Sequence, residues 1–215
     1  MAKKRKVSKK KVRAFIILLV LIIAGLIGAI LFVDNMHKEK PIKVKSVDEI
    51  EGYDYTLSSN ATKYYKSLFK ELKEVLEADE KDEAKYADLV TKLFVADFYN
   101  LDNKVNKNDV GGVQFVYKDF RDDFRKLAAD SIYKNVLDNT YGDRKDELPV
   151  VTNVSTEKKD NSAFKYGDNT DEKAYNVGFK ITYKTDLGYQ STGNIVLIHN
   201  DKKLEVAALE ESSEN

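Results

Sequence analysis

The chain contains no cysteine, no tryptophan, only two prolines and two histidines, and ten glycines in 215 residues. Without cysteine there is no disulfide scaffold, zinc finger, thiol nucleophile or iron–sulfur site. So few prolines and glycines exclude collagen-like and low-complexity architectures. Two histidines leave most general acid–base schemes short of parts. His37 falls among Lys38, Glu39 and Lys40 and reads as an interface residue, while His199 precedes Asn200-Asp201 and reads as a hairpin residue. The HExxH, GxSxG and GxxxxGK[ST] patterns are absent, which removes the commonest motif-bearing hydrolases and phosphate-loop enzymes. The expectation is a protein that is not an enzyme, with no catalytic, cofactor or metal-binding residues.

What is present divides into unequal parts. Hydrophobic residues make up 42% and aromatics 11%, enough for a packed core. The net charge of zero hides an asymmetry: residues 1–33 hold eight basic side chains and no acid. The remainder carries 28 basic against 36 acidic residues, a net of −8, which repels phosphate and speaks against a nucleic-acid partner. Lysine outnumbers arginine 31 to 5, a bias suggesting an AT-rich bacterial genome.

Ala14 to Val33 reads AFIILLVLIIAGLIGAILFV, twenty residues without a charge. As a helix rising ~1.5 Å per residue it spans ~30 Å, the thickness of the hydrocarbon core of a bilayer. A cleaved signal peptide has a shorter apolar run of ~7–15 residues and a small-x-small cleavage site. Leu31-Phe32-Val33-Asp34-Asn35 offers none, so the reading is an uncleaved single-pass anchor in the cell membrane. The basic flank places residues 1–13 in the cytoplasm and everything after the span outside. Lys3-Lys4-Arg5-Lys6-Val7 resembles a nuclear localisation signal, but orientation already accounts for a basic cluster beside a span. Ala24/Gly28 and Gly25/Ala29 are small residues four apart, a face through which two spans could pair into a homodimer.

Residues 34–59 read as a stalk and lead-in. Pro41 stops a helix, and Ile42 and Val44 alternate with Lys43 and Lys45 as a short edge strand that could extend to Val47. Gly52-Tyr53-Asp54-Tyr55 reads as a turn. The main domain is expected over 60–210, with an acidic tail at 211–215.

Three helical patterns open that domain. The first places Tyr64, Tyr65, Leu68, Phe69, Leu72, Val75 and Leu76 on one stripe, with Ser59 or Asn60 as its cap. The second runs from about Asp82 to Tyr99 with Tyr86, Leu89, Val90, Leu93, Phe94 and Phe98 inward. The third runs from about Gly112 to Leu137 with Val116, Phe120, Phe124, Leu127, Ala128, Ile132 and Val136 inward. Asp102 to Asp109, closing on Gly111-Gly112, has loop chemistry. It fits no EF-hand register: from Asp102 position 3 is Lys104, and from Asn106 position 5 is Val110, so a solvated turn is expected.

After Leu148-Pro149 the period becomes two. Val150–Lys158 reads as a strand and Asn161–Asp171 as a polar excursion. Tyr175, Val177, Phe179, Ile181 and Tyr183 alternate with polar partners, as in an antiparallel strand with one buried face. Turns at Asp186-Leu187-Gly188 and Asn200-Asp201 lead into strands over Tyr189–His199 and Lys203–Leu209. The fold class is α+β: an N-terminal transmembrane helix, then helices covering an antiparallel β-meander. Its edge strands, Lys203–Leu209 and Val150–Lys158, are the first places to look for an added partner strand.

This order of elements behind one anchor resembles the nuclear-transport-factor-2-like cone fold, in the layout of the extracytoplasmic subunits of type IV secretion and conjugation channels. Phe94-Val95-Ala96-Asp97-Phe98-Tyr99-Asn100-Leu101-Asp102-Asn103 with Asn108-Asp109-Val110-Gly111-Gly112-Val113-Gln114-Phe115 is similar to anchored proteins of low-GC Gram-positive bacteria. The resemblance implies a curved, cone-like sheet and envelope-protein partners. Enzymes of that fold use an acid, a tyrosine or a histidine inside the cone, which singles out Asp97 with Tyr99, Tyr117 and Tyr183 as an alternative ligand or catalytic cavity. Otherwise Asp97 caps or faces solvent while the tyrosines fill the core. Asn60-Ala61-Thr62 and Asn153-Val154-Ser155 match the glycosylation sequon, by chance in a bacterial chain. The leading expectation is a membrane-anchored extracytoplasmic protein-interaction module.

Overall fold

The computed structural model describes residues 45–211. The expected span, Ala14–Val33, its small-residue face and His37 all lie outside these residues. Among the described residues no helix is long and apolar enough to cross a membrane.

The chain opens with a hairpin of β1 (Ser46–Ile50) and β2 (Tyr55–Ser58), followed by α1 (Lys63–Glu77) and α2 (Glu83–Phe98). Two 3₁₀ turns, Val113–Phe115 and Lys118–Phe120, lead into α3 (Arg121–Asp130). Four strands complete the fold: β3 (Val151–Tyr166), β4 (Asn169–Tyr183), β5 (Thr192–Asn200) and β6 (Lys203–Glu211). They pair antiparallel in the order β3-β4-β5-β6, an α+β meander whose edges are β3 and β6.

The helices follow from their apolar periodicity. In α2 all six expected inward residues are buried, and Ala87, Val95 and Ala96 are buried as well. That wider stripe arises because α2 lies between α1 on one side and β3, β4 and β6 on the other. Asp82 caps α2 by accepting the N–H of Lys85. The cap of α1 is Thr62, which accepts the N–H of Tyr65 at 3.1 Å; neither Ser59 nor Asn60 takes that position.

Four expectations need correction. Of the residues read as stalk and lead-in, those from Ser46 to Ser58 form the β1–β2 hairpin and bring Ile50, Tyr55 and Leu57 into the core, while 34–44 lie outside the described residues. The third helix is not one element. Its first turns open because Gly112 sits at φ +75° and the Tyr117 N–H bonds the Val206 carbonyl of β6 at 2.9 Å, which a continuous helix would forbid. Its end is set at Ser131, whose hydroxyl bonds back to the Leu127 carbonyl, and Leu127, expected inward, is 70% exposed. The polar excursion at 161–171 is instead the outer arm of a long hairpin, turned by Gly167-Asp168 with Gly167 at φ +55°. It is polar because most of that arm faces water. Finally, Glu211, assigned to the tail, closes β6.

The helix-covered face of the sheet and the helices form the main core, in which Phe94, Phe98, Phe124 and Tyr133 contact one another with ring centroids 5.1–5.8 Å apart. A smaller cluster of Tyr117, Ala174, Val196 and Ile198 covers the other face. The outer arm of the β3–β4 hairpin reaches it, since Tyr166 meets Tyr117 edge-on at 5.2 Å.

Candidate functional site

Asp97 lies near the end of α2 and lines a polar cleft of about 250 Å³ that also holds Tyr65, Lys104, Gly111 and Gln114. One carboxylate oxygen accepts from the Lys104 ammonium at 2.5 Å, the other from the Gly112 N–H at 2.7 Å. Lys104 is only 5% exposed, so its charge needs that partner. Gly111 is required by close approach: a Cβ there would lie 2.2 Å from the Asp97 carbonyl oxygen. Its N–H bonds the Tyr133 hydroxyl, which in turn donates to the Phe98 carbonyl at 2.6 Å. Burial, and secondarily the Asp97 charge, pushes the Tyr65 hydroxyl well above the ordinary phenol range. Gln114 turns its amide inward, accepting the Thr56 N–H at 2.8 Å and donating to the Thr56 carbonyl and the Tyr65 hydroxyl.

The 102–109 segment turns in the open at Asp102, Lys107 and Asn108, which are exposed, but is tied to the core around Lys104. Leu101 is buried, the Val105 N–H bonds the Asp109 carboxylate, and the Arg144 guanidinium donates to the carbonyls of Asp102 and Lys104. Asp97 therefore staples the end of α2 to this loop, and its charge is spent on Lys104 and Gly112.

The tyrosines grouped with Asp97 by sequence go elsewhere. The Tyr99 hydroxyl bonds the Gln190 side chain at 3.0 Å and that of Tyr183 bonds the Gln190 carbonyl at 2.6 Å. Tyr117 belongs to the cluster on the opposite face of the sheet. They fill the core or its rim and do not converge with Asp97.

His199 is more connected than a hairpin residue need be. Its ring Nδ1 and its backbone N–H both meet Asp171 Oδ2, at 2.8 and 2.7 Å, and its Nε2 lies 3.3 Å from Glu83 Oε1. The Tyr175 hydroxyl donates to the same Glu83 carboxylate. Burial raises the Asp171 carboxyl, but the N–H groups of His199 and Lys173 and the His199 ring outweigh it and hold the group below the usual range. The string ties β4 and β5 to the start of α2. Among the described residues no group of three or more His, Asp or Glu side chains is placed to hold a metal ion.

A second depression has the opposite character. Phe120, Phe124 and Leu127 on one side, and Val206, Ala208 and Leu209 of β6 on the other, line an open apolar groove of about 300 Å³ with Asp123 as the charged residue of the lining. Arg121 holds the helical wall in place, donating to the Val116 carbonyl at 2.8 Å and meeting the buried Glu205 of β6 at 3.3 Å. The groove is not legible in the sequence, where Leu127 falls on the helical stripe expected to face inward.

Comparison with known proteins adds no family to this geometry: no family model, curated protein or solved structure matches the chain.

Proposed function

We propose that this chain is a membrane-anchored, extracytoplasmic protein-interaction module that acts by contact with envelope proteins. The observation that carries the reading is the contrast between the two depressions. The polar cleft has its central charge neutralised and its amide and backbone groups bonded to one another, so it offers a reacting substrate no free acid or base. The groove beside β6 leaves apolar surface in water, as contact surfaces do. Anchoring rests on the apolar run Ala14–Val33 with its basic flank, which supports a cytoplasmic N-terminus and an external C-terminal part. The cone-type layout, and with it the comparison to secretion or conjugation subunits, is supported by the helices-then-meander order and by the hairpin arm folding back onto Tyr117.

Chemical crosslinking in living cells, read by mass spectrometry, tests the proposal. Crosslinks from lysines around the groove, such as Lys118 and Lys126, to another envelope protein are expected. Recovery of self and lipid contacts alone, together with turnover or tight binding of a small molecule by the purified chain, would overturn it.

A further inference from the structure

Resting on the interaction reading, we infer that the groove takes one particular kind of occupant: an extended strand of a partner protein, added to the outer edge of β6, with apolar residues alternating with basic ones. The lane beside β6 is filled over its first half. At Leu204 the backbone carbonyl accepts from the Tyr55 hydroxyl at 3.3 Å and the N–H donates to the Tyr86 hydroxyl at 3.1 Å. At Val206 the carbonyl accepts the Tyr117 N–H, and Val116 pairs with Val206 as a single parallel bridge. The chain then turns away into the Lys118–Phe120 turn and α3.

From that point the edge changes. A register shift opposite Val196 and Leu197 leaves Ala207 as an extra residue, and the strand continues through Ala208 and Leu209 to Glu211 with backbone partners on the β5 side alone among the described residues. A bulge re-aims a strand, and here it marks the boundary between a closed and an open edge. Five open residues, 207–211, offer ~17 Å of strand. Open edges are places where another chain can pair through its own backbone, with side-chain pockets supplying selectivity.

The chemistry of the occupant follows from the walls. Leu127 stands 70% exposed over the groove, beside Phe120 and Phe124, so alternate side chains of an incoming strand meet an apolar floor. Asp123 is the charged residue of the lining, its exposed carboxylate shared with Lys126 at 3.6 Å, and Glu210 is exposed on the strand itself. The chain beyond residue 33 carries a net charge of −8. Basic residues at the other alternate positions complement those charges.

The test uses the full chain in detergent micelles and four labelled heptapeptides: alternating Lys and Val, alternating Glu and Val, and two forms of the Lys–Val peptide N-methylated at every second amide, one in each of the two possible phases. Fluorescence anisotropy is expected to show binding of the Lys–Val peptide, with amide-exchange protection appearing within 207–211. One N-methylated phase should bind at least about tenfold more weakly, because it loses its ladder donors. The Glu–Val peptide and the Leu127→Ser variant should each weaken binding by a similar factor. No binding at millimolar peptide, equal binding of both methylated phases and the parent, or protection confined to other segments would each overturn the strand assignment. In-cell crosslinks to an envelope protein in the face of such a result would leave the interaction reading standing and remove only this mode; their absence would remove the reading itself.

Discussion

The two edges of the four-stranded sheet are finished differently. On β3 the Val151 N–H donates to the Asn100 side chain at 2.9 Å and the Val154 N–H to the Tyr64 hydroxyl at 2.8 Å, so a residue just past α2 and a residue of α1 take up the ladder positions. Its outer half is lined instead by charged and polar side chains, including Glu157, Lys158 and Asp160, a familiar way of discouraging edge-to-edge pairing. On β6 the inner half is closed by Tyr55, Tyr86 and Tyr117, but among the described residues the outer half is neither capped nor studded with charge before Glu210. It runs beside an apolar groove. An edge closed along one strand and left open at the end of the other is what a molecule needs if one surface is to be recognised and the other ignored.

The closed half of β6 should be the most costly to disturb. Tyr86→Ala removes a buried aromatic together with the acceptor of the Leu204 N–H and the partner of the Tyr55 hydroxyl, 2.9 Å away. A loss of about 3–5 kcal/mol in denaturant unfolding is expected. Tyr86→Phe, which keeps the ring, should cost about 1–2 kcal/mol. On β3, Asn100→Ala strands the Val151 N–H and should cost about 1–3 kcal/mol by the same measurement. A smaller cost there than for Tyr86→Ala would fit caps that differ in kind; equal costs would say that the two edges are closed equally firmly.

Both edges were legible in the sequence as edges, because short turns between alternating strands leave a meander no other order. Their caps were not. Tyr64, Tyr55 and Tyr86 reach partners 90, 149 and 118 residues away, and no local period encodes such contacts. The same blindness explains the third helix: its pattern was helical, but the Tyr117 N–H was claimed by Val206 of a strand almost ninety residues on. The helix-period pattern of α2 was readable throughout because its neighbours reward the periodicity that its residues already have. Asp97 stands out in the sequence only through the resemblance to the cone fold, and the contacts it makes depend on Lys104 and Gly112 folding back onto it. His199 showed no local sign of Asp171 or Glu83.

Alkaline pH sharpens the comparison further. Burial pushes the Tyr86 hydroxyl from the ordinary 10.0 up to about 12, against the opposing pull of its bonds to Tyr55 and Leu204. A raised value means that folding favours the protonated phenol, so its contribution is complete below pH 10.0 and declines as the pH climbs towards 12. Stability measured across that window should fall, and the Tyr86→Phe variant should fall less steeply. An identical slope in the two proteins would place the alkaline sensitivity elsewhere.

At the open end the expected stability change is the smallest. Leu127→Ser alters an exposed side chain and should shift unfolding by no more than about 0.5 kcal/mol. A larger loss would mean that Leu127 supports the core, and the groove would lose its claim to be a contact surface.

The most direct test places a photo-reactive amino acid in living cells at Leu127, beside the open end of β6, and separately at Lys158, on the charged outer half of β3. The account predicts that irradiation links the Leu127 position to another envelope protein and leaves the Lys158 position without one. Crosslinks from Lys158 and none from Leu127, or none from either, would contradict it.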